Sequence, residues 1–398
     1  MRSKLIVLCV LLMLVATSCA QAPTPAAPIS WQPDTAFEAG ESRTGEEPVT
    51  VLWQHNFPPG CDYFEHVLAN HPQGITFGYW ERQGQTFIFS QAILDPDTGS
   101  VLLAGPIEGV HSRCSWLDAI LHQEAGDILL DTDAGTIVLP QLPEANGWLD
   151  FLPREDGLIL LGYDHAGRFV VYLDQQGETR WTFRPPKRGL EETFVFEAFG
   201  SREKLVDLGN GLLGVYGSTV RGLIALDFAT GQVVWDYHIP MEDRICAVSV
   251  GVDGIWAGGL SYDYDGVVAL LDLDGTVLRE IEHSAPVTAI GALENKACWF
   301  MAGWGPDGRN KVYLLENDRL AKEVFQDIEF GVVPQMNSSF VFVDGIQGLL
   351  YRWQPGQDVK AYELPFYGSP NGIRVLGARD EMIIVQHENE IYAVSLGD

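Results

Sequence analysis

The sequence has 398 residues, 42 of them glycine, and aromatic residues make up 11% of it. This length exceeds what one ordinary compact core requires, so it indicates a repetitive architecture or several domains. The formal net charge of −29 at pH 7 gives a surface that repels nucleic acid and anionic lipid. Nucleic acid is therefore not expected as a partner.

The chain begins with a basic region, Arg2 and Lys4, followed by the 12 apolar residues LIVLCVLLMLVA. This stretch is too short to span a membrane comfortably and is typical of an export signal. The following ATSC, which ends at Cys19, resembles a bacterial lipoprotein signal, in which cleavage precedes a cysteine that becomes lipidated. We therefore expect residues 1–18 to be a removed signal peptide and Cys19 to carry a palmitate-type anchor. An ordinary secretory signal cleaved near TSCAQA is the alternative.

The next segment, residues 19–48, is rich in proline and alanine and starts with AQAPTPAAPIS. Such a composition is typical of a tether that holds a folded body away from a membrane. The sequence therefore predicts a folded body over residues 49–398 at the bacterial cell envelope, outside the cytoplasm, with the lipid as its only contact with the membrane.

Beyond residue 48 the sequence consists of short apolar or alternating runs, such as TFIFSQAIL, GLILLGY and FVVYLD, with almost no helical periodicity. Turns with Asp and Gly recur as LDPDTG, DTDAG, LDQQG, LDFATG and LDLDG, and their glycines are 36 to 54 residues apart. Periods of this size predict an all-β propeller of four-stranded blades. The predicted number is eight. Seven is the alternative, because the unit around GDILLDTDAG lacks a clear fourth strand.

The clearest repeat is ALDFATGQVVW, residues 225–235. Asp227 can accept hydrogen bonds from backbone amides two or three residues on, and Gly231 supplies the positive φ that a hairpin bulge needs. Trp235 follows on the outermost strand, where its ring can cover the seam with the next blade.

This stretch resembles the Ala-x-Asp-x-x-Thr-Gly-x-x-x-Trp docking pattern of PQQ-like β-propeller repeats, which occur in quinoprotein dehydrogenases and BamB-type lipoproteins. YLDQQGETRW is a partial copy, and elsewhere the resemblance lies in the period. WD40 repeats fit less well, because no Gly-His precedes the Trp-Asp pair at the usual distance. The resemblance assigns blade docking to Asp174, Gly177, Trp181, Ala225, Asp227, Thr230, Gly231 and Trp235.

The two ends of the predicted propeller complement each other. Residues 49–57, VTVLWQHNF, form an apolar strand with no preceding turn, whereas the chain ends on IYAVSLGD, a strand and turn with nothing after them. We predict that residues 49–57 complete the last blade, with Trp53 in the docking position, because closure removes long open sheet edges.

A candidate binding face comes from the turns that follow the second strand of each blade. These turns place aromatic residues near one rim, where exposed rings would suit a sugar, a peptide or a partner protein. The alternative is that the rings pack against neighbouring blades. The residues are Tyr79, Trp80, Tyr163, Tyr216, Tyr262, Tyr264 and Trp304.

Four cysteines lie beyond the leader and the predicted anchor residue Cys19. Cys61 and Cys114 occupy matching places in the first two units, which suggests a disulfide, whereas Cys246 and Cys298 lie in apolar strands as inert core residues. The loops SYDYDG and DPDTGS have carboxylate spacing that can bind calcium, but hairpin-turn chemistry explains them without a metal. No metal site is predicted.

The function predicted from these features is a non-catalytic, monomeric binding or scaffolding module for an envelope protein or a glycan. The sequence has no Gly-x-Ser-x-Gly, phosphate-binding loop or histidine constellation, although propeller active sites can gather single residues from distant blades. The quinoprotein dehydrogenases carry a vicinal cysteine pair beside their cofactor, which is missing here, so no cofactor is predicted. The alternative is a propeller enzyme, either a PQQ-type dehydrogenase or a carbohydrate-active hydrolase or lyase.

Overall fold

The structure is a computed structural model in which the chain is an all-β protein, with 33 strands in the described residues. None of those residues forms a helix long and apolar enough to cross a membrane. The described residues are 29–30, 44–57, 63–68, 74–83, 86–106, 120–124, 127–132, 135–139, 147–186, 204–217, 220–238, 244–260, 265–303, 310–316, 322–328, 333, 335–336, 339–345, 347–366 and 373–397.

The strands follow one another as antiparallel blades. Before the repeats come β1 (Ile29–Ser30), β2 (Thr44–Pro48) and β3 (Thr50–Asn56). Blade 1 contains β4 (Tyr63–Leu68), β5 (Ile75–Gln83), β6 (Thr86–Leu94) and β7 (Val101–Pro106). A three-stranded sheet follows, with β8 (Ile120–Glu124), β9 (Asp127–Thr132) and β10 (Gly135–Leu139).

Three further blades occupy the middle of the chain. Blade 2 contains β11 (Gly147–Arg154), β12 (Gly157–Asp164), β13 (Gly167–Asp174) and β14 (Thr179–Phe183). Blade 3 contains β15 (Lys204–Gly209), β16 (Leu212–Gly217), β17 (Gly222–Asp227) and β18 (Val233–Tyr237). Blade 4 contains β19 (Arg244–Gly251), β20 (Gly254–Leu260), β21 (Gly266–Leu271) and β22 (Val277–His283).

The last three blades complete the ring. Blade 5 contains β23 (Val287–Ala292), β24 (Cys298–Ala302), β25 (Asn310–Leu315) and β26 (Lys322–Ile328). Blade 6 contains β27 (Gln335–Met336), β28 (Ser339–Asp344), β29 (Leu349–Trp353) and β30 (Lys360–Glu363). Blade 7 contains β31 (Ile373–Arg379), β32 (Met382–His387), β33 (Glu390–Ser395) and, from the N-terminal part of the chain, β3.

The described sheets comprise seven four-stranded blades and the three-stranded sheet of β8, β9 and β10. The prediction of eight four-stranded blades is therefore corrected to seven, the alternative number. The three-stranded sheet is the unit whose fourth strand the sequence does not show. Pro140 follows directly after β10 and Pro143 comes three residues later in the sequence, and proline cannot donate a hydrogen bond to a ladder.

Ring closure follows the prediction for the two chain ends. β3 pairs antiparallel with β33, with Thr50 opposite Ser395 and Asn56 opposite Glu390. The strand bounds fall one residue inside the predicted 49–57 at each end. Since β3 is the outermost strand of blade 7, the first and last parts of the chain share one sheet, which joins the ring by backbone hydrogen bonds.

The core is divided among the seams between blades. Six buried apolar clusters each combine two successive blades, from blades 2 and 3 round to blades 7 and 1. The cluster between blades 7 and 1 holds Trp53, Phe77 and Ile384. Burying each such side chain stabilises the fold by about 1.5–3 kcal/mol, so the seams supply most of the cohesion.

Three seams are joined by the same tryptophan contact. Trp53, Trp181 and Trp235 donate from their indole nitrogens to the carbonyls of Pro96, Phe228 and Leu273 in the next blade, at 2.7, 2.8 and 2.7 Å. Each ring lies on the glycine of that blade's last turn. An added Cβ at Gly99, Gly231 or Gly275 would come within 2.6 Å of the ring. These three glycines have φ between +67° and +79°, a region that favours glycine.

Hydrogen bonds to an aspartate shape the turns that receive the rings. The Asp227 carboxylate accepts from the Thr230 hydroxyl and amide at 2.7 and 2.8 Å, and Asp95 accepts from Thr98 in the same way. In the turn of blade 2, Asp174 accepts from the amides of Gln176 and Glu178 instead. The threonine form of the turn is therefore one of two local solutions.

The N-terminal segment also pairs with the blades. β1 adds parallel to β22 of blade 4, and β2 adds parallel to β30 of blade 6. The sequence expects a loop-like tether over residues 19–48. The described part of that segment instead lies along the outer edges of two blades, because those edges offer unpaired backbone groups.

We expect Trp181→Ala to lower the free energy of unfolding by about 3–5 kcal/mol, because it empties a buried seam and removes the bond to Phe228. Val234→Ala is the control, since its exposed side chain should change the value by less than about 0.5 kcal/mol. Urea unfolding followed by tryptophan fluorescence measures both. Equal losses would contradict the role of the ring in the seam.

The close approach of Gly231 to Trp181 predicts a coupled pair. Gly231→Ala alone should cost about 1–3 kcal/mol, because a Cβ both strains the positive φ and displaces the ring. In the Trp181→Ala background the displacement is gone, so the cost should fall by about 1 kcal/mol. Additive losses in this double-mutant cycle would show that ring and glycine act independently.

Candidate binding surfaces

The structure describes three side chains of the predicted aromatic rim, and none of the three is fully exposed. Tyr79 is 5% exposed and packs edge-on against Phe57, with ring centroids 5.0 Å apart. Tyr216 is partly buried against the cluster between blades 3 and 4. Tyr163 is partly buried, with the Arg168 guanidinium 5.1 Å from its ring centre. Tyr79 and Tyr216 are therefore corrected to seam residues, because rings at strand ends reach the neighbouring blade.

Four members of that rim lie outside the described side chains. They are Trp80, Tyr262, Tyr264 and Trp304. The predicted lipidation site and the predicted disulfide also fall outside the described residues, at Cys19, Cys61 and Cys114. Cys246 and Cys298 are described, and both are buried.

A different exposed surface recurs at the start of the outer strands. Two apolar residues at the start of the outer strand stand in solvent in blades 1, 3, 4 and 7. Val101 and Leu102 are 47% and 54% exposed, although both are large and apolar. The other pairs are Val51 and Leu52, Val233 and Val234, and Val277 and Leu278.

A β-bulge explains this exposure. In each of these strands the second residue of the pair has no partner in the ladder, as Val234 lies between the paired Val233 and Trp235. The extra residue rotates the next side chain toward the following blade, which is how Trp53 and Trp235 reach their turns. The displaced apolar residue is left facing water.

The tryptophan contacts bring these apolar pairs together two by two. Trp53 of blade 7 covers the turn that leads into Val101 of blade 1, and Trp235 of blade 3 covers the turn that leads into Val277 of blade 4. The pairs of blades 7 and 1 therefore adjoin one seam, and the pairs of blades 3 and 4 adjoin another. Exposed apolar residues grouped near a seam indicate an interaction surface.

Carboxylates border the apolar pairs. The Thr98 hydroxyl lowers the pKa of Asp95, and the Thr230 hydroxyl lowers the pKa of Asp227, each with help from backbone amides. Both groups are therefore ionised at neutral pH. The surface next to the apolar pairs is negative, which favours a partner with positive charge.

A buried carboxyl joins the inner strands of blades 2 and 3. The Asp150 carboxylate of β11 is buried and accepts a hydrogen bond of 2.7 Å from the Leu205 amide of β15, so it joins two blades. Burial raises its pKa, and the charge of Lys204 opposes that rise. Burial, with Asp150 and Cys246 nearby, also raises the pKa of Tyr216. The hydrogen bond between Asp150 and Leu205 therefore links blades 2 and 3 at their seam.

Sequence reasoning missed both the apolar pairs and Asp150. The pairs carry a usable signal, because each occupies the second and third positions after a turn glycine or the equivalent place before Trp53. Asp150 carries none, because an aspartate four residues into a strand can face water, the central axis or a seam.

The ring of blades makes this chain a β-propeller protein. Sqt1 from Chaetomium thermophilum is similar in structure, with a TM-score of 0.57 at 14% identity over 87% of this chain and 99% of that one. Sqt1 bound to the N-terminus of the ribosomal protein L10 gives 0.54 at 14% identity over 87% and 99%. Virginiamycin B lyase from Staphylococcus aureus gives 0.45 at 12% identity over 71% and 93%. At these identities the likeness shows the fold alone.

No protein-family model matches the chain, and no curated protein matches its sequence.

The raised pKa of Asp150 predicts a pH-dependent stability. The folded state holds the proton more tightly than the unfolded state, so stability is fully present below about pH 4 and falls as pH rises through the folded pKa. Asp150→Asn keeps an acceptor for Leu205 without the charge. The free energy of unfolding of Asp150→Asn should exceed that of the native chain, and the difference should grow as pH rises. At high pH the difference should approach about 1.4 kcal/mol for each unit by which folding raises the pKa of Asp150.

Urea unfolding between pH 4 and pH 8 measures this difference. Asp207→Asn is the control, since Asp207 is a half-exposed partner of Arg154 in the same seam and its loss should cost less than about 1 kcal/mol. A difference between Asp150→Asn and the native chain that does not change with pH would contradict a raised pKa of the buried Asp150 carboxyl.

Proposed function

We propose that this protein is a non-catalytic, lipid-anchored β-propeller outside the cytoplasm that binds a protein at the cell envelope. The observation that carries this proposal is the pairing of exposed apolar residues at two seams of the ring. Val51, Leu52, Val101 and Leu102 stand at one seam, and Val233, Val234, Val277 and Leu278 stand at the other. A soluble surface gains nothing from such residues, whereas a protein partner would bury them.

The repeats are proposed to be PQQ-like. The support is the contact made by Trp53, Trp181 and Trp235, each of which lies on the turn glycine of the next blade and donates to a carbonyl in that turn. This geometry gives a physical role to the tryptophan and the glycine of the resembling sequence pattern. The pattern concerns blade docking, so it carries no cofactor with it.

A fold neighbour supports binding through a propeller surface by analogy only. Sqt1 from Chaetomium thermophilum has been solved bound to the N-terminus of the ribosomal protein L10. For the present chain the analogy suggests a protein segment as the ligand class, with function argued from its own surface rather than from the fold.

The proposed anchor is tested by labelling. In a bacterial host fed with labelled palmitate, the native chain should incorporate label and fractionate with membranes, because Cys19 would be the acylated residue. Cys19→Ser should lose the label and become soluble after cleavage. Cys9→Ser, which alters only the leader, should keep the label. Label on the Cys19→Ser chain would overturn the anchor.

The binding function is tested by cross-linked capture from envelope extracts. Val233→Ser with Val234→Ser, and separately Val51→Ser with Leu52→Ser, should lower the yield of a specific partner at least fivefold, because each removes one apolar patch. Val252→Ser is the matched control, since Val252 is 94% exposed in a turn away from the outer strands. Equal yields from all variants, or dye reduction with added PQQ and calcium, would contradict the proposal.

A further inference from the structure

The outer edges of two blades carry an added strand from the chain itself. β1 lies parallel to β22, with Ile29 opposite Ile281, and β2 lies parallel to β30, with Pro48 opposite Glu363. The Val49 amide continues this contact with a hydrogen bond of 3.1 Å to the Glu363 carbonyl. An outer blade edge of this protein therefore accepts an extended strand in parallel.

The outer edge of β7 in blade 1 is equivalent to those edges. Counted from the turn glycine, β2 covers the fourth to seventh residues after Gly356. The same count from Gly99 gives Leu103 to Pro106 of β7. In the described part of the chain β7 pairs with β6 alone.

The side chains of β7 are unusual for an edge strand. Val101, Leu102 and Leu103 are 47%, 54% and 58% exposed, and the strand VLLAGP contains no charged residue. Natural edge strands are commonly protected by charges. Among the described residues, protection is limited to the bulge at Leu102 and to Pro106, and none of them pairs with the outer edge of Leu103–Gly105.

The negative charge around β7 favours a positively charged partner strand. Asp95 and Asp97 lie in the turn that precedes β7, and the whole chain carries a net charge of −29. Two copies of this chain would repel each other at such an edge, whereas a basic segment would be attracted. In a parallel pairing the N-terminal end of the incoming strand lies beside this turn.

We propose that β7 is the acceptor for an extended segment of a partner protein, which adds in parallel as a fifth strand of blade 1. The segment alternates apolar with basic residues, and the basic residues at its N-terminal end face Asp95 and Asp97. Backbone hydrogen bonds supply affinity, and contacts with Val101, Leu102 and Leu103 supply specificity. This assignment deepens the proposed binding function and rests on it.

The experiment uses the full chain and a synthetic ten-residue peptide of alternating lysine and valine, capped at both ends. Binding is followed by fluorescence anisotropy, and backbone engagement by hydrogen–deuterium exchange. Peptide binding should slow amide exchange in Leu103–Gly105 at least tenfold and weaken as salt rises. The same peptide with glutamate in place of lysine should bind at least tenfold more weakly.

Two variants locate the site. Leu102→Ser with Leu103→Ser should weaken binding of the lysine–valine peptide at least tenfold. Val252→Ser, in an exposed turn away from the outer strands, is the control and should leave the affinity unchanged. All of the substituted side chains are exposed, so both variants should fold.

Three results would overturn the assignment. The first is peptide binding without protection of Leu103–Gly105, and the second is equal affinity for the lysine and glutamate peptides. The third is protection of the β7 amides without any peptide, either because the chain dimerises in ultracentrifugation or because phosphatidylcholine vesicles are added. If envelope capture persists while the peptide leaves β7 unprotected, the strand addition fails and the binding function stands.

Discussion

The contact between an indole ring and a turn glycine in the next blade is the constraint on which the rest of the ring depends. At the Trp181 and Trp235 seams the ring occupies the place that any Cβ on Gly231 or Gly275 would take. The indole nitrogen finds its acceptor in the same turn, so the aromatic side chain is buried without an unsatisfied donor. Apolar burial holds the blades together, and the hydrogen bond orients the indole ring on the turn of the next blade.

The apolar surface is a consequence of that contact. A tryptophan on a regular edge strand would not face the next blade, so a bulge precedes it and rotates it there. The bulge displaces one residue into solvent, and in four blades that residue is leucine or valine: Leu52, Leu102, Val234 and Leu278. In blade 2 the same position holds Arg180, which pairs with Asp156. The bulge before each docking residue therefore creates an exposed position. The residue at that position decides whether the surface there is apolar or charged.

The N-terminal segment pairs with blade edges, and the buried Asp150 side chain links two blades at a seam. β2 covers the edge of blade 6 by backbone pairing, and β3 closes the ring in blade 7. Inside the ring, Asp150 joins blades 2 and 3 through the Leu205 amide, at the cost of burying an ionisable group. Edges and seams thus carry both the cohesion of the ring and its candidate surfaces.

The sequence by itself determined the class of fold, because strand alternation and turn glycines at a steady spacing are local features that need no tertiary contact. It also determined the closing strand around Trp53, since an unpaired strand at one end can only be completed by the other end. Tertiary structure decided the count of four-stranded blades, the packing of Tyr79 and Tyr216 at the seams, and the exposure of Leu102 and Leu278. Each of these depends on which way a strand-end side chain points relative to the neighbouring blade, and a one-residue bulge reverses that direction without altering the apolar pattern.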